Sequence, residues 1–168
     1  MVKISEKLAA KIRPIKMVLT DCDGVLCPRT LTMCEGHDIK SFNALDGIGK
    51  YKLDALGIEY GIISGRASQT VLIRQQTELA VRCIHIGVRD KVQTYESILT
   101  EYGFRSEEIC YIGDDEPDTE LLARVGFAVT PADTTTEVRS YADYVTIAKG
   151  GEGVLREVAD LIQQVHET

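Results

Sequence analysis

The sequence predicts a doubly wound α/β fold, in which helices cover both faces of a parallel β-sheet. Short runs rich in β-branched residues alternate along the chain with longer amphipathic runs, a pattern typical of successive β-α units. The length of 168 residues and the apolar share of 44% suit one compact domain, 1–168, with a buried core.

The periodicity of each run assigns its element. We predict six strands, at 16–20, 59–63, 82–86, 109–112, 126–129 and 143–146. We predict six helices after the first strand, at 47–56, 67–80, 90–102, 118–125, 134–141 and 152–166. Before the first strand, apolar residues at helical spacing predict a short amphipathic helix that ends near Pro14, rather than a signal peptide. Asp46, followed by Gly47 and Gly49, predicts an N-cap.

One segment interrupts this alternation directly after the first strand. Between residues 26 and 42, two short β-like arms flank a turn-like stretch that contains Gly36. This pattern predicts a β-hairpin insertion, which is too short to form a separate domain.

Charge and cysteine usage exclude several classes of protein. The formal net charge of -7 gives no electrostatic footprint for nucleic acid or for an anionic membrane surface. No apolar run approaches the roughly 18 residues of a membrane span. The five scattered cysteines form no CxxC motif, which favours a reduced, cytoplasmic setting over a disulfide framework or a zinc site.

Two carboxylates stand one residue apart where the first predicted strand ends. Asp21 and Asp23 follow the apolar run 16–20, and Gly24 supplies the backbone freedom for a tight loop. Ligands of open α/β sheets bind beyond the carboxyl ends of the strands. Two acids at such a position repel each other unless a cation or a proton lies between them. Taken alone, this short motif also suits a plain turn.

Polar residues also follow the next two strands. Ser64, Gly65 and Arg66 offer a hydroxyl and free backbone N–H groups to an anion, although a plain serine N-cap would look the same. Lys91 opens the next helix, which we expect Asp90 to cap. A lysine in a first turn opposes the helix dipole, so an anionic partner would explain it, with a solvated surface lysine as the alternative.

The fourth predicted strand ends in a cluster of acids, Gly113-Asp114-Asp115-Glu116-Pro117-Asp118. Pro117 favours a first helical position, and Glu116 or Asp118 complements the start of a helix. Asp114 and Asp115 have no such explanation. Carboxylate oxygens suit Mg²⁺, which binds one or two of them together with waters and a substrate phosphate. With a hydroxyl and a lysine beside them, these acids predict phosphoryl transfer.

The four motifs resemble, in order, those of the haloacid dehalogenase-like phosphohydrolases. They are Asp21-Cys22-Asp23-Gly24, Ser64-Gly65-Arg66, Lys91 and Gly113-Asp114-Asp115. Each follows its own strand, and together they span most of the chain. The resemblance implies a Rossmann-like sheet with the hairpin as an insertion. Because Asp23 lies two residues after Asp21, it also implies phosphatase or mutase chemistry rather than dehalogenation.

The resemblance implies a role for each matched residue. Asp21 would be the nucleophile that forms an aspartyl-phosphate, and Asp23 would protonate the leaving alcohol and later activate water. Ser64 and Lys91 would bind the transferring phosphoryl group. The implied substrate contacts are Cys22 through its backbone, Ser64, Gly65, Arg66 and Lys91. The implied Mg²⁺ ligands are Asp21, Asp23 through its backbone carbonyl, Asp114 and, in support, Asp115.

A closer resemblance is to the 3-deoxy-D-manno-octulosonate 8-phosphate (KDO 8-phosphate) phosphatases. It rests on the segments 42–49, 113–118, 142–146 and 150–158. It implies a capless homotetramer in which the hairpin is the oligomerisation element and a neighbouring chain covers the site, which would exclude water. The implied substrate is a small phosphorylated metabolite, with a sugar acid phosphate such as KDO 8-phosphate as the leading candidate.

Three features depart from that family's pattern. Leu45 and Glu152 stand where the family usually has arginine, the residue suited to bidentate binding of a carboxylate. The loop after Gly24 also differs, and Arg29 and Arg66 remain as candidate contacts for an anionic substrate. These departures do not affect the predicted catalytic residues, so the catalytic interpretation is retained. A different small phosphorylated metabolite remains an alternative substrate.

Two other classes of protein share parts of this pattern. A response-regulator-like receiver also carries acids, a hydroxyl, a lysine and Mg²⁺ on an α/β sheet, but there the acidic pair follows the first strand and the lysine comes last. A non-catalytic tetrameric subunit would keep the fold for assembly alone. The intact set of acids, with Ser64 and Lys91, argues against it, because unpaired like charges are costly to keep without a function.

Overall fold

The structure, a computed structural model, describes residues 4–35 and 37–167. Its strands are β1 (Met17–Thr20), β2 (Thr32–Cys34), β3 (His37–Ile39), β4 (Glu59–Ser64), β5 (Cys83–Ile86), β6 (Ile109–Ile112), β7 (Phe127–Thr130) and β8 (Tyr144–Val145). Its α-helices are α1 (Glu6–Ile12), α2 (Ala44–Ala55), α3 (Gln69–Val71), α4 (Lys91–Tyr102), α5 (Thr119–Leu122), α6 (Thr136–Arg139) and α7 (Val154–His166). Short 3₁₀ helices cover Ser106–Glu108 and Glu116–Asp118.

The main sheet has the strand order β5-β4-β1-β6-β7-β8, and all its pairs are parallel. Val18 at the centre of β1 lies opposite Tyr60 of β4 on one side and Cys110 of β6 on the other. The chain thus builds one half of the sheet outward from β1 before it returns to β6 on the other side. A crevice forms where the strand order reverses in this way, outside the carboxyl ends of the strands.

Helices cover both faces of the sheet because successive strand residues point to opposite sides. Val18 packs into a buried cluster that contains Leu53 of α2 and Val158 of α7. Leu19 packs into a second cluster, which contains Ile98 of α4. The strands β1, β6 and β7 are buried along their whole length, as expected for a sheet covered on two sides. The structure confirms the predicted doubly wound α/β class.

The predicted hairpin is also present. Strands β2 and β3 form a separate antiparallel pair, in which Thr32 lies opposite Ile39 and Cys34 opposite His37. The turn glycine of the prediction, Gly36, lies outside the described residues. The insertion therefore forms a sheet of its own, which follows the loop after β1.

Two local predictions need correction. The helix predicted over 67–80 is α-helical only over Gln69–Val71 and continues as a π-helix over Leu72–Glu78, although neither glycine nor proline occurs there to signal the change. The N-cap of α2 is Asn43, whose side chain accepts from the Leu45 N–H, because Asp46 lies inside the first turn. None of the described helices combines the length and apolar character needed to cross a bilayer.

Candidate active site

The carboxylate of Asp21 lies at the floor of the crevice, immediately after β1. Its Oδ1 accepts from the N–H of Cys22 (2.5 Å), and its Oδ2 accepts from Nζ of Lys91 (2.7 Å). Burial, followed by the charge of Asp118, raises the pKa of Asp21, and Lys91 opposes that rise. The side chain is thus fixed by two donors beside a permanent cation.

Lys91 joins Asp21 to a second, fully buried carboxylate. Its Nζ donates at 2.7 Å to Oδ1 of Asp118, which also accepts from the hydroxyl of Tyr111 (2.5 Å). The other oxygen of Asp118 accepts from the N–H groups of Asp114 (3.0 Å) and Asp115 (3.3 Å). Burial lowers the pKa of Lys91, but the two carboxylates more than offset it, so its pKa is raised and it stays charged. We call Asp21, Lys91, Tyr111 and Asp118 the Lys91 network.

Asp114 completes a cluster of three acids that could hold a cation. One carboxylate oxygen each from Asp21, Asp114 and Asp118 lies within 4.8 Å of the others. Burial, followed by the charges of Asp118 and Asp21, raises the pKa of Asp114 to about 7. Arg29 offsets part of this repulsion through Nε to Oδ2 (2.7 Å) and a second donor to the backbone carbonyl (2.9 Å). Closely set hard oxygen atoms of this kind fit Mg²⁺.

The predicted supporting ligand, Asp115, lies outside that cluster. Its side chain is exposed and accepts from the N–H of Glu116 (2.9 Å), where it begins the 3₁₀ turn. Asp118 takes the inner position instead, but both its oxygens already accept hydrogen bonds. Asp21 and Asp114 are therefore the side chains best placed to ligate a cation directly.

Asp23 lies on the other side of the β1 loop, between two cations. Its Oδ1 contacts Nζ of Lys40, and its Oδ2 lies 3.4 Å from Nε of Arg66. Lys40 also lies 3.5 Å from Oδ2 of Asp38 in the hairpin. The Lys40 side chain is only 4% exposed, whereas that of Arg66 is 47% exposed. We call Asp23, Asp38, Lys40 and Arg66 the Lys40 network.

Members of both networks open onto one cleft of about 630 Å³, whereas Asp38, Lys40, Tyr111 and Asp118 do not line it. It is lined by Asp21, Asp23, Arg29, Leu31, Ser64, Gly65, Arg66, Ala67, Lys91, Asp114, Asp115 and Pro117. The structure thus brings all four predicted catalytic residues to one place. Ser64 ends β4 and is buried, and the N-cap of the next helix is Ser68, so the plain N-cap interpretation of Ser64 is wrong.

The thiol of Cys22 is buried and lies 3.8 Å from Sγ of Cys27. Contact with Cys27 and burial raise its pKa, so the thiol stays protonated. The backbone N–H of Cys22, which was predicted to contact the substrate, donates to Asp21. In this structure its observed partner is therefore the predicted nucleophile.

Comparisons with known proteins decide the family. The profile of the haloacid dehalogenase-like hydrolases matches residues 69–158. The 3-deoxy-D-manno-octulosonate 8-phosphate phosphatase of Yersinia pestis is 34% identical over 160 residues, which are 95% of this chain and 85% of that protein. Its counterpart in Haemophilus influenzae is 34% identical over 155 residues, 92% of this chain and 86% of that protein. The chain belongs to the haloacid dehalogenase-like hydrolases.

A solved structure agrees with this membership. The 3-deoxy-D-manno-octulosonate 8-phosphate phosphatase of Moraxella catarrhalis, in complex with magnesium, phosphate and KDO, matches with a TM-score of 0.91 at 31% identity. The match covers 96% of this chain and 93% of that one. Membership confirms the predicted resemblance and the prediction that the chain is an enzyme. It also excludes the response-regulator-like alternative.

Two residues of this haloacid dehalogenase-like site escaped sequence reasoning. The sequence pattern around Asp118 indicates only a complement to a helix start, yet the residue is fully buried and its carboxylate accepts from Lys91. The unfavourable position of Lys91 in a first turn was the available signal that an acid lay nearby. Lys40 carried no signal, because its contact with Asp23 arises from how the hairpin folds back over the β1 loop.

Proposed function

We propose that this enzyme is a Mg²⁺-dependent phosphomonoester hydrolase that works through an aspartyl-phosphate on Asp21. The observation that carries the proposal is the carboxylate of Asp21, 14% exposed and held 2.7 Å from Lys91 at the floor of a cleft that also contains Asp114. A nucleophile beside a cation and an acidic cluster suits attack on a phosphate ester.

The proposed reaction has two steps, formation and hydrolysis of the aspartyl-phosphate. A carboxylate oxygen of Asp21 attacks phosphorus, the bond to the leaving oxygen breaks, and Asp23 gives that oxygen a proton. A water then attacks the phosphorus of the aspartyl-phosphate while Asp23 takes its proton, which releases inorganic phosphate and restores Asp21. Lys91 and the Ser64 hydroxyl would hold the phosphoryl oxygens throughout.

The residues present fit a magnesium ion. Asp21, Asp114 and the backbone carbonyl of Asp23 would hold it, with Asp115 as a more distant support. When bound, Mg²⁺ supplies positive charge that neutralises phosphate oxygens. Asp114 needs such a partner, because the single guanidinium of Arg29 leaves the pKa of this buried acid at about 7.

The substrate that we propose is a small sugar acid phosphate, with KDO 8-phosphate as the first candidate. The names of the relatives that cover over nine-tenths of the chain support it. Leu45 and Glu152, which depart from the family pattern, do not line this chain's cleft. Arg29 and Arg66 do line it, and their side chains are 37% and 47% exposed. They could therefore bind the acid group of a substrate.

We also propose that the enzyme assembles as a homotetramer through the hairpin. The hairpin segment exposes three large apolar side chains, Leu31, Met33 and Ile39, each about half exposed or more. Exposed apolar side chains grouped in this way favour association. Light scattering behind a sizing column tests the state directly, and a monomer at micromolar concentration would contradict the proposal.

The test of function compares phosphate release from KDO 8-phosphate and from p-nitrophenyl phosphate, with Mg²⁺ or with a chelator. We expect Mg²⁺-dependent release that Asp21→Asn abolishes, and a strong preference for the sugar acid. Equal or weaker activity on KDO 8-phosphate would support the proposed phosphatase reaction but contradict KDO 8-phosphate as its substrate. The absence of release from a wider panel of phosphate esters would support the alternative of a non-catalytic subunit.

A further inference from the structure

The hairpin inserts a buried lysine beside the β1 loop of its own chain. Lys40 follows β3 directly, and its side chain is 4% exposed. A lysine is rarely buried unless a carboxylate neutralises it. Here Nζ donates to Oδ1 of Asp23, an oxygen that accepts a hydrogen bond both in the carboxylate and in an acid protonated at Oδ2. The contact joins residues that are 17 positions apart in the sequence.

A second acid, Asp38 of the hairpin, also lies close to this lysine. Asp38 lies 3.5 Å from Nζ of Lys40. Its side chain interacts with the hydroxyl of Ser68, and its carbonyl accepts from the hydroxyl of Thr70 (3.4 Å). Ser68 and Thr70 belong to the segment that follows Ser64 and Gly65 at the end of β4. The ammonium group is therefore fixed relative to both strand ends that form the cleft.

The contact also fixes the orientation of the Asp23 carboxyl. Lys40 occupies Oδ1, while Oδ2 lies 3.4 Å from the exposed guanidinium of Arg66, and Asp23 lines the cleft. A carboxyl that transfers a proton must lie within hydrogen-bond reach of the reacting oxygen. Free rotation of the Asp23 side chain would often move its carboxyl out of this reach. Small misplacements of a reacting group lower the reaction rate strongly.

We propose that Lys40 is a positioning residue, which orients Asp23 for proton transfer to the leaving group. The inference rests on the proposed function, in which Asp23 is the general acid. The hairpin then serves the active site of its own chain, apart from any part in assembly. No bond to Lys40 forms or breaks in the reaction.

The leaving group separates this role from a purely structural one. p-Nitrophenolate leaves as a stable anion and needs little help from an acid, whereas an alkoxide needs a proton as the bond breaks. The ratio kcat/KM reports the steps up to formation of the aspartyl-phosphate, so the later attack by water does not enter the comparison. General damage to the site would lower kcat/KM for both esters by the same factor.

The experiment measures kcat/KM of the full-length enzyme on p-nitrophenyl phosphate and on the best primary alkyl phosphate of a panel that includes KDO 8-phosphate. For Lys40→Met we expect a loss on the order of 10²-fold for the alkyl ester and of less than about threefold for the aryl ester. Lys40→Arg is expected to recover most of the loss, because a cavity of about 80 Å³ beside Lys40 leaves room for the guanidinium.

The matched control is Lys50→Met. Lys50 is also a largely buried lysine paired with one aspartate, Asp54, at 2.6 Å, but it does not line the cleft. Neither ester should be affected. Asp38→Asn provides a second variant that keeps Lys40 and removes the charge behind it, and it should produce a smaller loss with the same preference for the aryl ester. Thermal unfolding checks that each variant folds.

Two results would overturn the inference alone: equal losses on both esters, or undiminished activity on the alkyl ester. A wild-type enzyme that released no phosphate from either ester would overturn the proposed function together with this inference. A selective loss in Lys40→Met, recovered by arginine, would establish the positioning role.

Discussion

Two buried lysines, Lys91 in the cleft and Lys40 beside it, each join a pair of aspartates, yet the surrounding structure holds them very differently. Lys91 donates at 2.7 Å to both Asp21 and Asp118, whose side chains are 14% and 1% exposed. Lys40 contacts Asp23 closely but lies 3.5 Å from Asp38, and these two acids are 26% and 19% exposed. The residues of the Lys91 network lie at or shortly after the carboxyl ends of β1, β5 and β6 in the main sheet. In the Lys40 network, Asp38 and Lys40 come from the hairpin segment.

In the proposed mechanism, this difference separates two tasks. The sheet fixes the group that attacks and the cation beside it, because parallel strands bring β1, β5 and β6 to one edge. The hairpin segment contacts Asp23, the proposed general acid. In that mechanism, chemistry at phosphorus would depend on the core of the fold, whereas proton transfer would depend on an insertion with its own two-stranded sheet.

The largest expected effect comes from Lys91→Met. It leaves Asp21 and Asp118 buried without their cation, so we expect a loss of about 3–5 kcal/mol in the free energy of unfolding. Activity should fall on the order of 10³-fold for alkyl and aryl esters alike, unlike in Lys40→Met. Urea denaturation and kcat/KM measure the two effects.

The control is the double variant Lys91→Met, Asp118→Asn. Removing the second buried charge should restore part of the stability without restoring activity. A Lys91→Met enzyme that discriminated between the esters as Lys40→Met does would erase the proposed division between the networks.

A second effect, on metal binding, is expected from Gly24→Ala. Gly24 has φ +80°, and an added Cβ would lie 1.9 Å from Oδ2 of Asp114. The strained backbone should cost about 1–2 kcal/mol of stability. Displacement of Asp114 should also weaken Mg²⁺ binding by at least about tenfold, as for loss of a supporting partner of a metal ligand. Calorimetric titration with Mg²⁺ measures this.

Gly57→Ala is the matched control, since Gly57 has φ +70° with nothing within 4 Å of an added Cβ. It should show the same backbone cost with unchanged Mg²⁺ binding. Equal Mg²⁺ affinity in the two variants would mean that Asp114 is not a ligand.

A pH-dependent effect on stability alone is expected at Asp46, which links α2 to α7 by accepting from the N–H of Arg156 (3.1 Å). Burial raises the pKa of Asp46 to about 6, from an ordinary value of 3.8. The folded protein thus binds this proton more tightly than the unfolded chain does. The stabilisation is fully present below about pH 4 and is lost as the pH rises through about 6.

Asp46→Asn should therefore match the wild type near pH 4 and exceed its free energy of unfolding by up to about 3 kcal/mol near pH 8. Urea denaturation at both pH values tests this. Equal stability of the wild type and Asp46→Asn at pH 8 would contradict the prediction, because it would show that other groups stabilise the ionised Asp46 carboxylate.

The smallest effect is expected from Arg66→Gln. Arg66 is 47% exposed and lies 3.4 Å from Asp23, so its ion pair contributes little to stability. We expect KM for a sugar acid phosphate to rise about tenfold with kcat nearly unchanged, because the residue binds ground state and transition state alike. A fall in kcat with unchanged KM would instead place Arg66 in the chemical step.

The fold and most of the site could be predicted because they depend on short-range patterns. The buried run 16–20 and the acids that follow it identified β1 and its loop, and parallel topology then required Ser64, Lys91 and Asp114 to meet. Strand bounds shifted by one residue or so, as at β5, where Cys83 rather than residue 82 is the first.

The missing parts depend on contacts that no local pattern specifies. Lys40 lies among ordinary polar residues of the hairpin, and only tertiary folding puts it against Asp23. Asp118 had a sufficient local explanation at a helix start, which hid its burial. Asp46 looked like an N-cap, but its partner, the N–H of Arg156, is 110 positions away.

The central claim is that Asp21 carries the phosphoryl group, and trapping that intermediate tests it most directly. The enzyme would be mixed with substrate and Mg²⁺, quenched in acid within milliseconds, reduced with borohydride and digested for mass spectrometry. The account predicts conversion of Asp21 to homoserine in the peptide that contains it, and no conversion in Asp21→Asn. Steady-state phosphate release without conversion at Asp21, or with conversion at another acid, would contradict it.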